Sequence, residues 1–144
     1  MLREFFEKYQ IGDAAVAAGV SGGADSLALL FQLDAFLRPQ GRRVIALTVD
    51  HGLRPESRDE AEYVAKLAAE RQIEHHILTW EGKKPEKGIE EAARTARYGL
   101  LCGWCRDNGV GTLAGGPHLL GQGGAFFFWS SFFWGWLLFS SGCP

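Results

Sequence analysis

Apolar positions recur along most of the chain with a period that switches back and forth. Leu2, Phe5, Phe6 and Tyr9 fall on one helical face, which predicts a short helix over residues 2–9. Ala14–Val20 is a short apolar run that ends in glycine-rich sequence and reads as a buried strand. The spacing predicts a helix over Ser26–Leu37, with Leu27, Leu30, Phe31 and Leu33 toward the core and Pro39 and Gly41 ending it. Arg43–Val49 is the second strand. Ser57 and Glu60 have the spacing of an S-x-x-E capping box, and Ala61, Val64, Ala65 and Ala68 follow at helical intervals. Glu74–Leu78 is a third strand and Trp80–Lys87 a charged loop. Ile89–Arg106 is a helix with Ile89, Ala92, Ala93, Ala96 and Leu100 inward, and Val110–Ala114 starts a fourth strand. Strands spaced by helices predict an α/β fold, a Rossmann-like, doubly wound parallel sheet over residues 12–114. Ligands in such sheets bind at the carboxyl ends of the strands.

Composition changes this picture only in its last quarter. The 144 residues suit one domain, and 47% hydrophobic with 22% charged residues is ordinary globular composition. A formal charge of -2 argues against nucleic-acid binding by bulk electrostatics alone. Three cysteines are too few for a disulfide scaffold, and the charged start MLREFFEKYQ lacks the apolar run of a signal peptide. A reduced, cytoplasmic protein is the expectation. Yet all 32 charged residues lie between Arg3 and Asp107, and the 37 residues from Asn108 to Pro144 hold none. That stretch instead holds 9 of the 19 glycines and 9 of the 18 aromatics. The chain therefore divides into a nucleotide-binding segment over 1–114 and an uncharged tail, rich in glycine and aromatics, over 115–144.

The strongest chemical signal is Ser21-Gly22-Gly23-Ala24-Asp25-Ser26, between a predicted strand and a predicted helix. Glycines there let backbone N–H groups approach an anion, and the helix aims the positive end of its dipole at it. Ser21 and Ser26 add hydroxyl donors. The Gly-Lys-Ser/Thr of the Walker motif is missing. Asp50 and His51 sit at the carboxyl end of the second strand, either as site residues or as the start of a turn. Arg54 is a phosphate or RNA contact or is simply solvated. Arg94 and Arg97 are three apart on one helix, with Glu90 four before Arg94. They form either an exposed ion-pair array or a pair of guanidinium groups for RNA or a carboxylate. Cys102-Gly103-Trp104-Cys105 is a C-x-x-C, read here as structural because the chain offers only Cys143 besides.

The hexapeptide resembles the loop of the PP-loop ATP pyrophosphatases, which hold the pyrophosphate of ATP and release it by adenylating a substrate. Two further segments narrow the resemblance. Val49-Asp50-His51-Gly52-Leu53-Arg54 follows the second strand, and Glu91-Ala92-Ala93-Arg94 with Arg97-Tyr98 lies on the fourth helix. The three together, over about residues 14–114, are similar to the tRNA(Ile)-lysidine synthetases. The resemblance implies ATP, Mg²⁺, L-lysine and tRNA(Ile) as reactants and partners. ATP adenylates the C2 oxygen of the wobble cytidine, lysine attacks that carbon and AMP leaves. It implies Ser21–Ser26 as the nucleotide loop, with Gly22, Gly23 and Ala24 among its contacts, and Asp25 as a holder of the loop or of Mg²⁺. It further implies Asp50 and His51 with Asp25 as catalytic groups, and Arg54, Glu91, Arg94 and Arg97 as contacts to tRNA or substrate. Members are often dimeric; the resemblance leaves the oligomeric state of this chain open. Two alternatives remain: a PP-loop tRNA thiolase using Cys102 and Cys105, and a non-catalytic ATP-binding remnant.

Beyond the fourth strand the family pattern has His-His-x-x-Asp-Gln-x-Glu-Thr. This chain reads Leu113-Ala114-Gly115-Gly116-Pro117-His118-Leu119-Leu120-Gly121-Gln122 and lacks the Asp and Glu. The expectation is an incomplete nucleotide-binding domain with impaired ligase activity and a tail, 115–144, that is non-native or disordered. A membrane anchor and an aromatic partner surface are the other readings of the tail. Its apolar block Ala125–Phe139 is short of the roughly 20 residues that span a bilayer, and no membrane association is expected.

Overall fold

A strand covered on both faces reads as a near-continuous apolar run, as Val16–Ala18 and Val44–Leu47 do here. In the computed structural model, which describes residues 2–8, 12, 14–115 and 139–140, the elements follow the alternation read from the sequence. They are α1 (Leu2–Lys8), β1 (Ala15–Gly19), α2 (Ala24–Leu37), β2 (Arg43–Asp50), α3 (Glu56–Glu70), β3 (Glu74–Thr79), α4 (Ile89–Asp107), β4 (Thr112–Gly115) and β5 (Phe139–Ser140). A 3-10 turn over Arg38–Gln40 closes α2, with Gly41 in the left-handed region at φ 71°.

The sheet has the order β3-β2-β1-β4-β5. The first four strands are parallel: Ala17 pairs with Ile45 on one side and Leu113 on the other, and Leu47 pairs with His76. Alternate residues feed two cores. Val16, Ala18, Val20, Val44 and Ala46 pack against Leu29, Leu30, Leu33 and Leu37 of α2 and Val64 and Ala68 of α3. Ala17, Ile45, Leu47, Val49 and Leu113 pack against Leu101, Cys102 and Cys105 of α4. Helices on both faces make the sheet doubly wound. The connections leave β1 toward β2 over one face and reach β4 over the other. The switch point thus lies between β1 and β4, where the loop after β1 opens. β5 adds an antiparallel edge, with Thr112 opposite Ser140 and Leu113 opposite Phe139. That pair is the part of 115–144 that is described beyond Gly115; the remaining expectations for the tail lie outside the described residues. The Leu2–Lys8 helix buries Phe6, which meets Phe36 at 5.0 Å; Tyr9 lies outside the described residues.

Three details differ from the sequence reading. α2 begins at Ala24, and its fully buried residues include Leu29 and Leu37, whereas Leu27 and Phe31 are only partly covered. The helix is apolar almost all round, so spacing alone did not fix its inner face; Phe31 is capped from outside by the Arg71 guanidinium at 3.8 Å. The capping box does not form. Pro55, at φ -58° and ψ -32°, is already helical and starts α3 early, leaving Ser57 inside its first turn. Third, α4 buries its second half. Ile89, Ala92, Ala93, Ala96 and Leu100 are partly exposed, and Leu101, Cys102 and Cys105 carry the packing, because only that half reaches the cluster over the sheet.

Candidate functional site

The loop after β1 is shaped from within. Ser26 is 1% exposed, and its hydroxyl accepts the Ser21 N–H at 3.0 Å while lying 3.0 Å from Ser21 O and 3.1 Å from Gly23 O. Ser21 Oγ accepts the Gly23 N–H at 3.1 Å. The two hydroxyls thus hold the loop, and Ser26 faces inward where the sequence reading had it as a donor to the anion. Gly23 is the N-cap of α2 and offers no side-chain cap, so the first turn at Ala24, Asp25 and Ser26 is left open. An uncapped helix start with unused N–H groups is a place for an anion. Gly22 and Gly23 are not among the glycines with positive φ. A Cβ on Gly23 would lie 3.4 Å from Ser21 Oγ and one on Gly22 3.9 Å from Glu60 Cβ, both ordinary contacts, so the chain itself leaves both positions open.

Facing the loop is a cavity of about 530 Å³ lined by Ser21, Gly22, Gly23, Glu56, Asp59, Glu60 and Tyr63. Glu56 and Asp59 come from the first turn of α3 and Glu60 follows at once, at intervals of three and four from Glu56, and Tyr63 is 52% exposed beside them. These four were missed in the sequence reading, which spent Glu60 on a cap; the spacing of Glu56, Asp59 and Glu60 was the available signal. Asp25, exposed in the first turn of α2, fits a Mg²⁺ ion that arrives on a polyphosphate and needs one or two carboxylates besides phosphate and water. Among the described residues no group of three or more ligating side chains is placed to cage a metal unaided.

Asp50, at the end of β2, is buried and fully used. Its Oδ1 accepts the Gly52 N–H at 3.0 Å and the Ser57 hydroxyl at 2.5 Å, and Oδ2 stands 3.9 Å from Arg58. The Ser57 bond above all holds its pKa below the ordinary 3.8, against the opposing effect of burial. Asp50 therefore ties β2 to the start of α3 and shapes the loop between them. Gly52 turns that loop at φ 66°, a left-handed conformation that favours glycine. His51 is half-buried there; burial first, then Arg54, lowers its pKa. Arg54 is exposed and stands 3.8 Å from Glu60.

The two arginines of α4 part company. Arg94 is exposed, as is Glu91, and among the described residues no ion pair joins Arg94 to Glu90. Arg97 instead has Nε and one terminal nitrogen buried without a hydrogen-bond partner, and burial pushes its pKa down to about 10. Its charge bears on His51, which places it toward the end of β2. The structure thus brings together the 21–26 loop, His51, Arg54 and the α3 carboxylates, with the Arg97 charge acting on His51, and leaves Glu91 and Arg94 on the surface. Cys102 and Cys105 lie in the apolar cluster, and burial raises the Cys105 thiol to about 11.

A family model described as the PP-loop domain matches residues 1–128. The chain belongs to the PP-loop domain family. Among its relatives, a protein named tRNA(Ile)-lysidine synthase from Mesorhizobium japonicum (strain LMG 29417 / CECT 9101 / MAFF 303099) is 48% identical over 113 residues. Those residues are 77% of this chain and 25% of the relative. A protein of the same name from Methylobacterium sp. (strain 4-46) is 50% identical over 98 residues, 68% of this chain and 28% of the relative. This PP-loop domain thus spans about a quarter of the length of the curated relatives it matches. The U34-tRNA thiolase NcsA from Methanococcus maripaludis, solved with its 4Fe-4S cluster, superposes with a TM-score of 0.71 at 19% identity. The match covers 90% of this chain and 48% of that one, a likeness of fold. Among the described residues no helix is long and apolar enough to cross a membrane.

Proposed function

We propose that this PP-loop domain is the ATP-using part of a cytoplasmic ligase that joins L-lysine to the wobble cytidine of tRNA(Ile). The observation that carries this is the uncapped start of α2 at the β1/β4 switch point, on a chain 48% identical to a protein named tRNA(Ile)-lysidine synthase. The open N–H groups of Ala24–Ser26 bind the polyphosphate of ATP, and Ser21 and Ser26 keep the loop in shape for it. Asp25 would hold Mg²⁺, which when bound offsets phosphate charge. The C2 oxygen of cytidine attacks the α-phosphorus, the bond to the β-phosphate oxygen breaks and pyrophosphate leaves. The lysine side-chain amine then attacks C2, gives up a proton and expels AMP with the former carbonyl oxygen. Arg97, with Nε and one terminal nitrogen buried and without a hydrogen-bond partner among the described residues, suits an anionic group of nucleotide or substrate. Arg54, Glu91 and Arg94, all exposed, are assigned to outer contacts with tRNA on this reading.

The cysteine pair favours this reading over thiolation. Cys102 and Cys105 pack in the apolar cluster over the sheet, where among the described residues no third ligating side chain joins them. The discriminating experiment is pyrophosphate release from ATP with a tRNA(Ile) transcript, with and without lysine. Lysine-dependent release supports ligation; iron bound stoichiometrically and lost on Cys105→Ser sinks it. ATP binding itself is read by calorimetry. Gly23→Val weakens ATP by about tenfold or more, on the order of 1.4 kcal/mol, because branches on Cβ enter the anion's space. Asp25→Ala costs less, and mainly in the presence of Mg²⁺. Equal binding by all three proteins rules the assignment out.

A further inference from the structure

Among the groups at the carboxyl edge of the sheet, His51 has its protonation state dictated by the backbone. The Leu53 N–H donates to its Nδ1 at 3.1 Å. A ring nitrogen that accepts an N–H bond carries no proton, so the neutral ring keeps its proton on Nε2. The turn that makes this bond is itself fixed, by the Gly52 N–H and the Ser57 hydroxyl on Asp50 Oδ1 and by the left-handed Gly52. His51 is thus built as a donor at the distal end of its ring.

Its surroundings decide what that donor can meet. The charged groups that bear on the ring are Asp50, Arg54, Glu60 and Arg97. Both carboxylates already face cations: Asp50 has Arg58 at 3.9 Å and Glu60 has Arg54 at 3.8 Å. Two nitrogens of Arg97 are buried with no acceptor. The two Arg97 nitrogens are the donors left over, and a ligand that satisfies them carries oxygen and negative charge. Glu60 also measures the way to the phosphate loop, since a Cβ on Gly22 would lie 3.9 Å from its own Cβ. His51 and the loop leave the ends of the neighbouring strands β2 and β1, and Glu60 bears on both.

We propose that His51 is a positioning contact that donates through Nε2–H to an α-phosphate oxygen of the bound nucleotide, and that it is not a general base. This rests on the assignment of ATP to the loop. Protonating the ring would set a second N–H against that of Leu53, and burial and Arg54 already hold its pKa below 6.5, so the donor is constant through neutral pH.

Two experiments on the 144-residue chain test it. Long-range nitrogen–proton NMR correlation reads the tautomer: the proton is expected on Nε2, and a proton on Nδ1 overturns the proposal. Calorimetry with ATP, AMP and inorganic pyrophosphate then compares wild type, His51→Asn and His51→Gln. Asn lacks the distal donor, and its loss of one bond to a charged acceptor lowers ATP and AMP affinity by about tenfold. Pyrophosphate binding stays as in wild type and shows that the loop is still folded. Gln carries an amide N–H to the distal position and recovers most of the ATP affinity. ATP binding by His51→Asn equal to wild type overturns the contact, as does a loss confined to a tRNA(Ile) transcript, which would place the phosphate in RNA. If the wild-type chain binds no ATP, the loop assignment fails and the contact with it, an outcome distinct from failure at His51 alone.

Discussion

At the scale of single residues, the loop-shaping work of Asp50 leads to a test in acid. The Ser57 hydroxyl is a charge-assisted donor to a buried carboxylate, so Ser57→Ala costs about 1–3 kcal/mol in urea unfolding at pH 7. Because the folded-state pKa of Asp50 is depressed, its contribution is present above 3.8 and is lost as pH falls through the lower folded value. The stability gap between wild type and Ser57→Ala therefore narrows below pH 3.8; a gap that is constant with pH would contradict this role. His75 adds a second titration. Its Nε2 lies 2.9 Å from the buried Thr48 hydroxyl, and burial, with a smaller effect of His76, pushes its pKa down to about 4. The unfolded chain binds that proton from about 6.5 downward, so stability present at neutral pH declines between 6.5 and 4. Unfolding curves at pH 7 and pH 5 should differ less for His75→Phe than for wild type.

Elements were legible to the extent that their pattern had a single reading. β1 to β4 and α2 to α4 stand within a few residues of their expected places; for β1 and β2 the reason is cover on both faces, which leaves near-continuous apolar runs. The inner face of α2 was not legible, since leucine and phenylalanine surround it. The first turn of α3 misled because an S-x-x-E pattern carries no sign of a competing carboxylate, and Asp50 lies seven residues upstream. The turn from β1 into α2 was legible from six consecutive residues, but not that Ser26 faces inward. The carboxylates facing it were not, for which charges turn toward a cleft depends on how α3 crosses the sheet. Leu33→Ala, at a site 2% exposed, should cost about 2–5 kcal/mol in denaturant unfolding, and Leu27→Ala markedly less. Equal costs would mean that the helix is turned otherwise.

For the whole molecule, the sequence beyond β4 bears on turnover more than on binding. Glycines stand where the resemblance calls for Asp and Glu, and lysine needs a carboxylate to orient its amine and take its proton. The 144-residue chain is thus expected to bind ATP yet to incorporate lysine into a tRNA(Ile) transcript far more slowly than a lysidine synthase carrying that acidic motif. A comparable rate would show that Glu56, Asp59 and Glu60 serve instead.

The strand order has a temporal consequence. β1, β2 and β3 join through consecutive crossovers over one face, but Ala17 meets Leu113 nearly a hundred residues later in the chain. Contacts so distant in sequence close last, since long loops must be gathered before they are rewarded. A nascent chain emerging up to α3 and β3 can already form its hexapeptide turn and the clamp around Asp50. The wall of the crevice contributed by β4 is still unmade. Nucleotide added during synthesis would therefore find a partial cradle first, and its residence time should lengthen abruptly when β4 docks.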